Sequence, residues 1–229
     1  MTIYILTLFP QIFTQVFTES IIKGAQEKKL LEIKIINIRD FAQDKHKTVD
    51  DKPYGGGDGM VLKVDVVVSA LKSIRPRPYT ILLSASGEKF SQTLAQTFSK
   101  KKNLALVCGH YEGVDARVEQ FVDKVISIGD FVLTGGEIAA MVVADAVIRL
   151  IPRVIKKESL ESESFSQPST FDSRFSTLLE HPQYTRPEQF RGLKVPKILL
   201  LGNHRKIADW RIKQAIERTK KYRPDLLKK

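Results

Sequence analysis

Over the first 150 residues, short apolar runs rich in β-branched side chains alternate with longer stretches whose apolar positions recur every three or four residues. Residues 3–8 and 31–38 read as strands, the second with Ile33 and Ile35 in alternation, and residues 12–28 between them as a helix. Further along, the same reading predicts helices at 64–74 and 90–100 and strands at 79–83, 104–108 and 124–128. A strongly apolar helix follows from Gly135 to Leu150, stopped at Ile151 by Pro152, and Pro76 and Pro78 close the 64–74 helix in the same way. Strands alternating with helices predict an α/β domain around a mostly parallel sheet.

The pattern breaks after Arg153. Residues 154–177 are rich in Ser and Glu and short of periodic apolar positions, the signature of a linker. Beyond it come an apolar run at 198–201, a cap-like Asn203 and a basic helix to about Tyr222. The expected organisation is a domain at 1–153, a linker at 154–177 and a small, mainly helical domain at 178–229.

Composition sharpens this picture. With 229 residues, 42% hydrophobic and 28% charged, the chain can bury a substantial core. A single cysteine, Cys108, rules out an internal disulfide framework and fits a reducing cytosol; within the run Leu104, Ala105, Leu106, Val107 it reads as a core thiol before a nucleophile. The start MTIYILTLFP lacks a signal peptide's basic region and cleavage site, and no apolar run reaches the roughly 18 residues of a membrane helix. A soluble, cytoplasmic protein without membrane contact is expected. The net charge of +11 is concentrated: from Arg186 onward there are fourteen Lys or Arg against four Asp or Glu, leaving the rest close to neutral. Trp210, Tyr222, Ile207, Ile212 and Ile216 are interleaved there at near-helical spacing, which favours a folded RNA-facing element over a solubilising tail.

Glycine clusters mark three places where the backbone turns sharply or approaches a ligand. The first, Asp50-Asp51-Lys52-Pro53-Tyr54-Gly55-Gly56-Gly57-Asp58-Gly59, is neither a Walker A loop nor GxGxxG; the alternative is a flexible surface turn, though that needs no flanking carboxylates or tyrosine. The second, Cys108-Gly109-His110-Tyr111-Glu112-Gly113, follows an apolar strand. The third, Ser127 to Glu137, runs from a strand into the apolar helix. Ligands of open α/β sheets sit beyond the carboxyl ends of strands, so the last two loops, with residues 82–87, outline one nucleotide-like pocket.

These segments also carry a resemblance. TVDDKPYGGGDGM, LVCGHYEGVDARV, SIGDFVLTGGE, DAVIRLIP, HPQYTRPEQFRG and LLGNHRKIADWR occur in the order of the signatures of bacterial tRNA (guanine-N1)-methyltransferases and span nearly the whole chain. The chain departs from them at Ala85 and Asp58, where the family carries proline. The resemblance implies the trefoil-knotted SPOUT fold, an exception to the rule that chains do not thread loops. It further implies a homodimer with the active site between subunits, tRNA rather than DNA as partner, and methylation at N1 of the guanosine 3′ of the anticodon. S-adenosylmethionine is the implied methyl donor, held by Gly109, Ile128, Gly129, Asp130, Phe131, Val132 and Leu133, with Leu83, Gly135 and Gly136 beside them; Ile128, Val132 and Leu133 are equally suited to core packing. Asp50 and Gly59 are expected at the target base. Magnesium dependence is implied too, although no metal-ligand cluster is visible.

Chemistry at guanine N1 needs a base for its proton and a cation or donor for charge growing on O6. The family uses a linker Asp and an Arg at the end of the apolar helix. Arg149 matches the Arg, and its structural alternative is a cation at a helix C-terminus. For the base, counting back from Leu178 favours Asp172, with Ser173 after it, while counting forward from Pro152 favours Glu163, followed by Ser164 and Phe165. Asp172 is placed first. The rivals to this reading are a knotted enzyme acting on another RNA and a non-catalytic RNA-binding protein.

Overall fold

The computed structural model describes residues 1–161, 163–165 and 177–227. It divides into two units, Met1–Ile155 and Lys156–Lys229.

The first unit is an α/β domain. Its sheet contains β1 (Thr2–Thr7), β2 (Glu32–Asn37), β5 (Tyr79–Lys89), β6 (Asn103–Cys108) and β7 (Lys124–Ser127), in the order β2-β1-β6-β5-β7. Every pairing is parallel, as the alternation of strands and helices predicts. Both faces are covered. Ile3, Ile5, Leu104, Leu106 and Cys108 point to one core with α4 (Gln92–Ser99) and α5 (Glu137–Ile148). Leu6, Ala105 and Val107 point to a second core with α3 (Val64–Ser73). Period-two alternation thus feeds two hydrophobic layers from the same strands, which accounts for the near-continuous apolar runs. Cys108 is 1% exposed; burial, with the Glu137 charge second, pushes its thiol well above the ordinary value, as befits a core thiol.

The helix expected at 12–28 is interrupted. A 3-10 turn (Pro10–Phe13) leads into α1 (Thr14–Phe17), and a separate α2 (Ser20–Glu27) starts at Ser20, whose φ is 52°. The reason is phase. Phe13 and Phe17 stack 5.6 Å apart in the core, and on an unbroken helix turning about 100° per residue Ile22 would emerge opposite Phe13. The break lets Ile22 and Ala25 face inward as well.

Strand β5 outruns its expected end at residue 83, because its pairing with β7 shifts register between Leu83 and Glu88 and then resumes. Two short pairings were not anticipated: the hairpin of β3 (Asp50–Asp51) with β4 (Val61–Leu62), and that of β8 (Gln189–Phe190) with β9 (Leu193–Lys194). Two-residue arms carry too little pattern to announce themselves.

The second unit opens with α6 (Lys157–Glu161), a helical turn inside the stretch read as linker. The long helix α7 (His204–Tyr222) begins at Asn203, whose Oδ1 accepts from the Lys206 amide at 3.1 Å, the expected cap. Beside it the rings of His181 and Tyr184 lie 6.5 and 6.3 Å from Trp210. Among the described residues, no helix is long and apolar enough to cross a membrane.

Candidate functional site

Because the sheet is parallel, the carboxyl ends of its strands and the loops that leave them gather along one edge. A cavity of about 240 Å³ lies there, bounded by the ends of β5 and β6, the turn after β6 and the long loop between β7 and α5. Of the ten residues expected at a cofactor, Leu83, Gly109, Ile128, Gly129, Phe131, Val132, Leu133, Gly135 and Gly136 line it. Asp130 does not; its carboxylate reaches outward to Lys89 Nζ at 3.0 Å on the exposed surface.

Two glycines allow this wall to close. The Gly136 amide donates to the Gly109 carbonyl at 2.7 Å, and a Cβ on Gly136 would stand 2.7 Å from Cys108 Cα and 2.9 Å from Gly109 N. Backbone thus passes backbone where any side chain would intervene. At Gly129 φ is 157°, a Cβ would strike the Phe131 ring, and the Ser127 hydroxyl holds the turn by donating to the Gly129 carbonyl at 2.9 Å. Phe131 is 54% and Val132 88% exposed.

The charge of the cavity is unexpected for so basic a chain. Among the described residues, the only ones with formal charge that line it are Glu112 and Glu119, neither singled out from sequence; the rest of the described wall is backbone, apolar side chains, hydroxyls and His110. The first glycine cluster joins this rim. The Leu62 amide donates to the Gly113 carbonyl, the Asp115 amide to the Leu62 carbonyl and the Glu112 amide to the Met60 carbonyl, each at 3.0 Å. A Cβ on Gly59 would lie 2.5 Å from Glu112 Cγ. Burial first, then the charge and hydrogen bond of Asp50, pushes the Tyr111 phenol above its ordinary value. Asp50 and Gly59 therefore stand beside Tyr111 and Glu112 at the cavity.

Arg149 is not brought to this place. It caps the far end of α5, half-buried, and twelve helical residues rising about 1.5 Å each separate it from the glycine end. It shares an exposed stripe with Ile138 and Val142, 51% and 45% exposed, since positions 138, 142, 145 and 149 fall on one helix face. Of the two linker carboxylates, Asp172 lies outside the described residues. Glu163 is in the second unit, where Ser164 Oγ accepts from the Glu180 amide and the Phe165 amide donates to the Leu178 carbonyl, both at 3.0 Å. Glu163 is thereby set close to the same Leu178 from which the spacing argument for Asp172 was counted. Among the described residues, no three His, Cys, Asp or Glu are grouped to hold a metal ion.

The chain is 52% identical over 227 residues to a curated tRNA (guanine-N(1)-)-methyltransferase of Dictyoglomus turgidum, covering 98% of this chain and 89% of that protein. It is 54% identical over 231 residues to one of Carboxydothermus hydrogenoformans (100% and 88% covered) and 47% identical over 230 residues to one of Mycoplasmopsis synoviae (100% and 98% covered). The sequence model of the tRNA (Guanine-1)-methyltransferase TrmD family matches residues 1–229, and with relatives of this identity over nearly the full length the chain belongs to that family.

Proposed function

We propose that this protein transfers a methyl group from S-adenosylmethionine to N1 of the guanosine 3′ of the anticodon in tRNA, in the cytosol and as a homodimer. The observation that carries the cofactor assignment is the charge of the cavity. A phosphate-bearing nucleotide would meet Glu112 and Glu119 with repulsion, whereas a ligand carrying a sulfonium and an ammonium meets them with attraction. A cavity wall built in large part from main chain, at Gly109, Ile128 and Gly135, suits an adenine edge, which N–H and C=O groups read without a charged side chain. Bound there, S-adenosylmethionine supplies an electrophilic methyl group.

The protein's own residues then have three tasks. Asp50 and Gly59, at the rim beside Tyr111 and Glu112, receive the guanine, which an anticodon loop presents without the full cost of unpairing a duplex. A linker carboxylate, Asp172 or Glu163, takes the N1 proton as the methyl arrives. Arg149 stabilises charge on O6. Since Arg149 stands at the end of α5 remote from its own cavity, on the same face as the exposed Ile138 and Val142, burial of that stripe against a second copy would place the arginine in a shared site. The trefoil-knotted threading implied by the family belongs to this reading. Lys and Arg of α7 supply phosphate contacts. Magnesium finds no ligand group among the described residues, and no step is assigned to it.

The test is transfer of labelled methyl groups to tRNA transcripts carrying or lacking the target guanosine, followed by nucleoside analysis. N1-methylguanosine only in the first transcript is the expected result. Methylation of another position or of ribose would overturn the reading, as would absence of donor binding.

A further inference from the structure

Behind the cavity wall lies a buried polar group that none of these steps uses. Glu137, the first residue of α5, is 5% exposed, and its Oε1 accepts from Thr7 Oγ1 at 2.8 Å. Thr7, at the end of β1, is fully buried and in turn accepts from the Phe9 amide at 2.9 Å. The amino end of a helix is a favourable place for a carboxylate, but a carboxylate has two oxygens to satisfy, and Thr7 satisfies one.

The other oxygen lies across Gly135 from an orphan. His110 Nδ1 is buried without a hydrogen-bond partner among the described residues, an arrangement that native structures rarely leave unanswered. Both atoms lie at Gly135: a Cβ there would strike Glu137 Oε2 and stand 2.7 Å from His110 Nδ1. Gly135 and His110 are bridged through their backbones, so the missing side chain leaves an open path between carboxylate and ring. The imidazole is held edge-on between Phe9 and Tyr111, with centroids 4.8 and 4.7 Å away.

We propose that Glu137 and His110 form a carboxylate–imidazole pair across Gly135 that positions the 109–111 turn of the cavity wall. The contact is not made in this structure; in the proposed pair the ring moves into the space left by Gly135 and His110 donates Nδ1–H to Glu137 Oε2. Glu137 acts through His110 and is a positioning residue: it locks the ring, the ring locks the turn, and the turn presents Gly109 and Tyr111 to the ligand. The pair also ties the ends of β1 and β6 to the start of α5.

This inference rests on the cavity being the methyl donor's site, so the test reads the pair both with and without donor. In the full-length protein, H110F keeps the stacking but has no ring nitrogen, whereas H110N puts an amide N–H near the Nδ1 position. Calorimetry with S-adenosylmethionine should show H110F and E137Q weakened at least about tenfold and H110N within about threefold of the parent, with kcat at saturating donor nearly level in all three. Without donor, nitrogen-15 NMR of the four histidines should show one protonated Nδ1 that is missing in H110F and displaced in E137Q. Parental donor affinity in H110F would reduce His110 to packing and overturn the proposal, as would an unmoved Nδ1 resonance in E137Q. If E137Q does not fold, the contrast between H110F and H110N still decides. A parent that binds no donor would sink the cofactor reading alone, because the ring resonance continues to report on the pair.

Discussion

An alanine at Gly136 adds one methyl group where two strands of backbone already touch. The new Cβ would stand 2.7 Å from Cys108 Cα, 2.9 Å from Gly109 N and 3.2 Å from Cys108 C, against 3.4–4 Å for ordinary contact, and all three atoms are main chain. No rotamer change can relieve that, so the start of α5 and the turn after β6 must part by several tenths of an ångström. Parting them stretches the 2.7 Å hydrogen bond from Gly136 N to Gly109 O. Forced overpacking costs about 1–3 kcal/mol and a lost hydrogen bond about 0.5–1.5 kcal/mol. Against this, φ −78° and ψ −7° at Gly136 suit alanine, a gain of at most about 1 kcal/mol. Sterics win, leaving a loss of about 2 kcal/mol. In a unit of this size that lowers Tm by roughly 4–8 °C, and since the cavity wall itself moves, donor affinity should fall at least about tenfold. Scanning calorimetry and donor titration of G136A measure both. The matched control is G24A in α2, where a Cβ meets nothing within 4 Å and the helix should gain about 0.5–1 kcal/mol. An unchanged Tm with full donor affinity in G136A would refute the claim that the two loops are held by backbone contact.

Other outcomes follow from the same geometry. Single-turnover methyl transfer should fall by about 10²–10⁴ in whichever of D172A and E163A removes the base, with donor affinity level; losses under about tenfold in both would show that neither linker acid takes the proton. Neutralising exposed α7 cations with K213Q and K220Q should each reduce the slope of log affinity for tRNA against log salt by about one, and an unaltered slope would give α7 another job. Burial holds Cys108 protonated, so iodoacetamide should leave the folded protein unmodified at mildly alkaline pH and label it once unfolded. The sign is that of a raised thiol: its contribution to stability is complete below the ordinary thiol value and is lost as pH climbs from there through the folded value. Rapid labelling of the native protein at pH 8 would place the thiol outside the core.

Much of this architecture was legible along the chain, because it rests on local signals. Period-two runs such as Ile3 and Ile5, three-to-four spacing in 64–74, prolines at 76 and 152, and Asn203 before a helix each act within a few residues. The cavity loops could be named because glycine clusters at strand ends have few uses other than a tight backbone path, and nine of the ten residues expected there do line one space. What depended on distance in sequence was not legible. The break of the 12–28 helix answers to a core supplied by strands far along the chain, and only in three dimensions does Ile22 find itself out of phase with Phe13. Asp130 sits amid cavity residues in sequence, yet its side chain lies on the surface, paired with Lys89. Nothing near Glu137 in the sequence announces Thr7, 130 residues earlier, or His110, which only the packing of β1, β6 and α5 brings beside it. Arg149 kept its place at the end of the apolar helix, but its distance from the cavity in the same subunit comes from helix rise and sheet order, because side-chain chemistry is written residue by residue while the meeting of side chains is decided by how elements pack.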